Sequence, residues 1–234
     1  MIRISGNIPQ PNPHIMKATS QPPGRAGFTL TEVLVVITII ALLFSMVMGG
    51  FSFAQRSAST SRTQTTMAAM RSALERYNTD FGEYPEPANP GDTVQIVKTS
   101  YEVSGAAMLY QALSGDGTDQ IKISSSGAEG SVPSNGSLDD NEGANVKMTD
   151  MPKEIWAVNN DRYYMVDGFG KPYQYTKALP PTDSNGQPQQ PITINNTYDL
   201  WSYGADDENS TARSLDSTTD STLKAASAKW IRNW

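Results

Sequence analysis

From Val33 to Gln55 the chain carries no charged residue, and its centre reads VLVVITIIALLFSMVMGGF. A helix needs about 20 such residues to cross the hydrocarbon core of a bilayer. A buried helix of a soluble protein rarely runs this far without polar positions, so the stretch predicts a membrane-spanning helix rather than a core element. A membrane helix so near the N-terminus divides the chain into a short leader and a long C-terminal region.

The leader is basic. Residues 1–31 contain Arg3, Lys17 and Arg25 and no acid, while Arg56 and Arg62 lie beyond the span. Basic flanks on both sides leave the count undecided, but the all-basic leader favours an N-in orientation. A secretory signal peptide would be cut after its apolar run. Here the small, flexible junction Gly24-Arg25-Ala26-Gly27 lies before the run and leads into Phe28-Thr29-Leu30-Thr31-Glu32. A cut between Gly27 and Phe28 would remove the basic leader and leave the apolar helix on the mature chain.

Composition narrows the chemistry. The chain has no cysteine and one histidine, His14, which lies in the leader. A disulfide framework, a thiolate nucleophile, a serine–histidine–carboxylate triad and a multi-histidine metal site are all excluded. Acids outnumber bases 24 to 18, for a net charge of -6. Leader removal takes away three of the 18 bases and none of the 24 acids, which moves the side-chain charge to -9. Such a balance argues against nucleic-acid binding through a broad basic surface.

The GFTLTE stretch and the apolar run behind it resemble the N-terminal signature of type IV prepilins and of the pseudopilins of type II secretion. The resemblance implies that a membrane prepilin peptidase cuts after Gly27 and methylates the new amino terminus at Phe28. It also implies that Glu32 attracts the amino terminus of the adjacent subunit during filament assembly. A carboxylate costs on the order of 2.5–3.5 kcal/mol near the bilayer centre, and less near the interface, unless it is paired. The other reading of Glu32 is an anion capping the helix N-terminus, and one residue can do both.

The helix is expected to run from about Phe28 to about Asp80. Met67, Met70, Leu74, Tyr77 and Phe81 recur at three- and four-residue steps and share one face, with Arg71, Glu75 and Arg76 largely opposite. That stripe predicts burial against a globular head. Gly49 and Gly50 are expected to mark a bend or locally melted point, at about 1 kcal/mol each relative to alanine; close helix packing through small residues is the other reading.

Proline and its predecessor end the helix at Gly82-Glu83-Tyr84-Pro85-Glu86-Pro87. Asp80-Phe81-Gly82-Glu83-Tyr84-Pro85 also resembles the helix exit of major pseudopilins. From Ala88 to Asp161 the composition is that of loops, with one short helix predicted from about Gly105 to Leu113. Asp139-Asp140-Asn141-Glu142 reads as a solvated tip rather than a metal cluster.

Tyr163-Tyr164-Met165-Val166, the turn Asp167-Gly168-Phe169-Gly170-Lys171-Pro172, and Tyr173-Gln174-Tyr175 predict a hairpin. A third strand, Tyr198 to Tyr203, ends at Gly204-Ala205-Asp206. Both blocks resemble the major, G-type pseudopilin, with Gly168 where the family has proline and Phe169 where it has tryptophan. Members of that type bind calcium in the loop after S-x-G-A-D. By motif only Asp206 is carried over; Asp207, Asp216 and Asp220 are further oxygen candidates. Trp230 stands where many members have an aspartate, and the Ser- and Thr-rich surroundings fit an ordinary flexible loop equally well.

The expected fold is therefore α+β, a long N-terminal helix packed on a small antiparallel β head with long loops, as in type IV pilins. Its expected parts are the leader 1–27, the membrane or filament-core half 28–55, the amphipathic half 56–81, a loop-rich region 82–162, a β region 163–206 and a C-terminal loop and tail 207–234. No enzyme activity is expected. The resemblance implies a bacterial inner-membrane protein with its head in the periplasm that forms a homopolymer supporting type II secretion. Its implied partners are minor pseudopilins, the prepilin peptidase and the inner-membrane assembly platform. Three other readings stand beside it: a pilus subunit for adhesion, motility or DNA uptake, a membrane-tethered binding domain, and a carboxylate enzyme built on Asp167 and Asp199.

Overall fold

The computed structural model describes residues 27–115, 120–122, 148 and 150–234. The leader up to Ala26 and the acidic tip Asp139 to Glu142 lie outside the described residues. The chain divides into two units, Met1–Met48 and Gly49–Trp234. Helix α1, Leu30–Phe81, contributes residues to both.

In the first unit α1 is apolar on every face, and none of its most apolar 18-residue window is buried. Ile37, Leu42 and Phe44 each expose more than half their surface. Contiguous apolar surface of this extent marks contact with lipid or with another chain, and the helix is long and apolar enough to cross a membrane.

Helical geometry continues through Gly49 and Gly50. Two glycine penalties of about 1 kcal/mol are small beside the cooperativity of a helix already nucleated on both sides.

In the second unit the predicted stripe is buried. Met67, Met70, Ala73 and Leu74 enter one apolar cluster with Met108, Leu109, Leu113, Met165, Tyr173 and Leu200. The stripe begins earlier than apolar spacing suggested, because Thr63 and Thr66 are buried too. It also ends earlier: Phe81 is half exposed and stacks on Tyr77, with ring centroids 4.4 Å apart. Helix α1 closes on Gly82, whose φ of 76° lets its amide reach the Asn78 carbonyl at 2.8 Å.

Three small antiparallel sheets follow among the described residues. Strands β1 (Thr93–Ile96) and β2 (Thr99–Glu102) form a hairpin. Strands β3 (Trp156–Asn159) and β4 (Arg162–Met165) form another, turned by Asn160 and Asp161 at positive φ, as a two-residue hairpin turn requires. Both β1–β2 and β3 lie in the stretch read as loops. The third sheet has the order β5 (Gln174–Lys177), β6 (Tyr198–Ser202), β7 (Ile231–Arg232).

Between them lies α2, Ser104–Ser114, buried along its whole length. An 11-residue helix covered all round must be apolar or small all round, which the sequence SGAAMLYQALS largely satisfies. Gly105 permits its closest approach: a Cβ there would stand 2.9 Å from the Tyr175 carbonyl oxygen.

The predicted hairpin around Asp167–Pro172 is only a neck. Val166 bridges Pro172, and the Tyr173 amide donates to the Met165 carbonyl at 3.1 Å. Beyond that the arms part, β4 to β3 and β5 to β6. Pro172 has no amide to extend the ladder. The C-terminal stretch, expected as loop and tail, contains α3 (Asp216–Thr219), α4 (Ser221–Ala226) and β7. The fold is thus α+β, with a long N-terminal helix whose second part packs on small antiparallel sheets.

Candidate functional site

At the N-terminal end, Gly27 and Phe28 precede the helix in exposed chain without regular secondary structure, Phe28 with 86% of its surface open. Thr29 and Glu32 then hold the first turn reciprocally. The Thr29 amide and hydroxyl each donate to Glu32 Oε2 at 2.8 Å, and the Glu32 amide donates to Thr29 Oγ1 at 3.3 Å. Thr29-x-x-Glu32 is a capping box, which satisfies two amides that the helix itself cannot pair. The capping role weighed for Glu32 is realised, with both bonds to the carboxylate made at Oε2.

In the head, the Asp167–Pro172 turn and the stretch from Ser202 to Asp206 meet. Asp167 is buried and folds its own turn, accepting from the Phe169 amide at 2.8 Å and the Lys171 amide at 2.9 Å. Its other oxygen takes the Ser202 hydroxyl in a short hydrogen bond, and Ser202 Oγ in turn accepts from the Gly204 amide at 2.9 Å. Burial pushes the Asp167 carboxyl above its ordinary value, against the opposing effect of these hydrogen bonds. The Gly168 amide donates to Thr63 Oγ1 on α1, so one turn links the helix to the end of β6.

Lys171 completes the junction. Its side chain is buried, and Nζ donates to the Gly204 carbonyl at 2.8 Å and the Asp206 carbonyl at 2.9 Å, with Asp207 Oδ1 at 2.7 Å. The Asp206 carboxylate faces elsewhere. It accepts from Trp230 Nε1 at 2.9 Å, from Asn209 Nδ2 at 2.9 Å and from the Glu208 amide at 3.0 Å. Burial would raise its pKa, but the donors led by Trp230 outweigh that and hold it below the ordinary value.

The other acids singled out in the sequence are engaged apart from this junction. Asp216 accepts from the Arg213 amide, and Asp220 caps α4 through the amides of Thr222 and Leu223. Among the described residues no three Asp, Glu or His side chains come together to hold a metal ion. Asp199 accepts from the Ile194 and Asn195 amides and the Asn195 side chain, so it and Asp167 each organise separate loops. Sequence reasoning passed over Thr63 and Lys171. Thr63 lies four residues before Met67 on the same helical face, a spacing that marks it once polar residues are admitted to the stripe.

Residues 23–48 match the family model for the prokaryotic N-terminal methylation motif. This signal is type IV pilin-like. It spans the Gly27–Phe28 junction, the capping box and most of the apolar run, and it points to a structural subunit that is processed and methylated at its N-terminus. Among the described residues one helix is long and apolar enough to cross a membrane, which is consistent with a membrane-anchored, single-pass protein. Comparison with curated proteins and with solved structures finds no match.

Proposed function

We propose that this chain is a pseudopilin subunit of a type II secretion system, closest to the G type. The methylation motif on a fully exposed apolar helix is the observation that carries the reading. After cleavage at Gly27 and methylation of Phe28, the helices of many copies pack into a filament core, with the acidic heads outside on the periplasmic side. A repeated head-to-tail contact that does not close on itself produces such a filament. Glu32 guides each entering subunit by attracting the amino group of Phe28. Within the filament, Gly49 and Gly50 allow the helix to loosen or to approach its neighbours closely. The G-type assignment draws on the D-G-F-G-K-P and S-Y-G-A-D blocks, which Asp167, Ser202 and Lys171 tie into one unit.

Electron microscopy of the protein co-expressed with a prepilin peptidase tests assembly: filaments with the N-terminal helix at their core are expected, and a persistently monomeric processed protein overturns the reading. Deletion in the native host separates the two filament classes. Loss of exoprotein release with surface fibres intact is expected, whereas loss of surface fibres with release intact identifies a pilus subunit.

A further inference from the structure

We propose that the ammonium group of Lys171 is the resident cation of the loop after β6, standing in for the divalent metal that the G-type resemblance implies there. An ammonium has three N–H donors. Lys171 spends them on the Gly204 carbonyl, the Asp206 carbonyl and Asp207 Oδ1, all within 2.9 Å. Backbone carbonyls and a carboxylate are the donor types a hard cation recruits, so the loop is built around a positive charge. That charge is covalent and arrives from the Asp167 turn, with Lys171 itself 35 residues before Asp206 in the chain.

The residues do not fit calcium as well. Calcium takes six to eight oxygens at about 2.3–2.6 Å. Two carbonyls here are committed to Lys171, and the Asp206 carboxylate is committed to Trp230 and Asn209. Trp230, standing where many members of the family have an aspartate, supplies an N–H donor to the Asp206 carboxylate and no oxygen for a metal. Asp216 and Asp220 are committed to backbone amides close by in the chain. Lysine and tryptophan thus replace metal and ligand together, and the head closes independently of calcium. This inference concerns the head alone and stands whether the filament serves secretion or a pilus.

The test uses the full processed chain in detergent micelles, with hydrogen exchange at residues 204–209 and thermal unfolding followed in calcium chloride and in chelator. Wild type is expected to give the same exchange and the same melting temperature in both. Slower exchange or a higher melting temperature in calcium overturns the proposal, and this comparison needs no variant. Lys171→Met is expected to speed exchange across 204–209 at least tenfold in chelator while the helix and β3–β4 stay protected. Exchange indistinguishable from wild type in that variant also overturns it.

Discussion

The amide of Gly168 donates to the side-chain oxygen of Thr63 at 2.9 Å, joining the Asp167 turn to α1 across 105 residues of sequence. The Tyr173 hydroxyl donates to the Thr63 carbonyl at 3.0 Å, so one threonine holds both sides of the turn. A Cβ at Gly168 would stand 2.2 Å from the Ser59 carbonyl oxygen. Gly168→Ala must therefore lift the turn from the helix, at a cost of about 1–3 kcal/mol. Thr63→Val, which keeps the shape but leaves the Gly168 amide unpaired, should cost about 1–3 kcal/mol. Urea unfolding of the detergent-solubilised chain reads both.

The amphipathic stripe gives a contrast along one helix. Leu74 is fully buried, and Leu74→Ala should destabilise by about 2–5 kcal/mol. Phe81, half exposed and in ring contact with Tyr77, should cost no more than about 1.5 kcal/mol as Phe81→Ala. Equal losses in the same unfolding assay would mean that the helix packs in another register.

Glu32 has a capping role and a proposed pairing role, and two substitutions separate them. Glutamine can replace glutamate in a capping box, so Glu32→Gln should keep the helix start while removing the charge. Glu32→Ala removes both, with about 1 kcal/mol of helix stability. If charge pairing guides assembly, both variants lose filaments in electron micrographs. Normal assembly in Glu32→Gln with failure in Glu32→Ala would assign the residue to capping alone.

Asp206 and Asp167 should give opposite pH dependences. The pKa of Asp206 is lowered in the folded chain, so its contribution is present above the ordinary aspartate value and is lost as pH falls through the lowered one. Asp167 is raised, so the folded state binds its proton more tightly and stability is lost as pH rises from the ordinary value through the raised one. Melting temperatures from about pH 3 to pH 7 should show wild type gaining on Asp206→Asn as pH rises and losing ground to Asp167→Asn. Parallel slopes would contradict the two environments described.

The sequence carried local information well where one period or one motif dominated. The capping box, the Met67–Leu74 stripe, the short helix at α2 and the β6 strand are all decided by spacing within a few residues. Strand partners were less legible. The arms of the Asp167–Pro172 turn looked like partners because they are adjacent, yet pairing is decided by Trp156–Asn159 and Tyr198–Ser202, which lie outside any local window. The β1–β2 hairpin was hidden by short strands of mixed polarity, TVQI and TSYE, set in polar sequence. Lys171 was invisible for a different reason: a lysine reads as surface, and only the fold brings three oxygens around it.

The place of β7 in the chain sets an order of events. Strand β6 is flanked by β5 on one side and by Ile231–Arg232 on the other, and Trp230 beside them packs edge-on against Tyr203. Those residues are synthesised 150 positions after Phe81, roughly 8–30 s later at ordinary translation rates. Once β6 is made and until β7 follows it, the free edge of β6 can pair with a neighbouring chain. The apolar helix is ready to meet other helices well before its own head can shut. Any step that delays helix packing in the meantime, the proposed wait for leader cleavage included, gives each head time to finish before it is crowded by its neighbours.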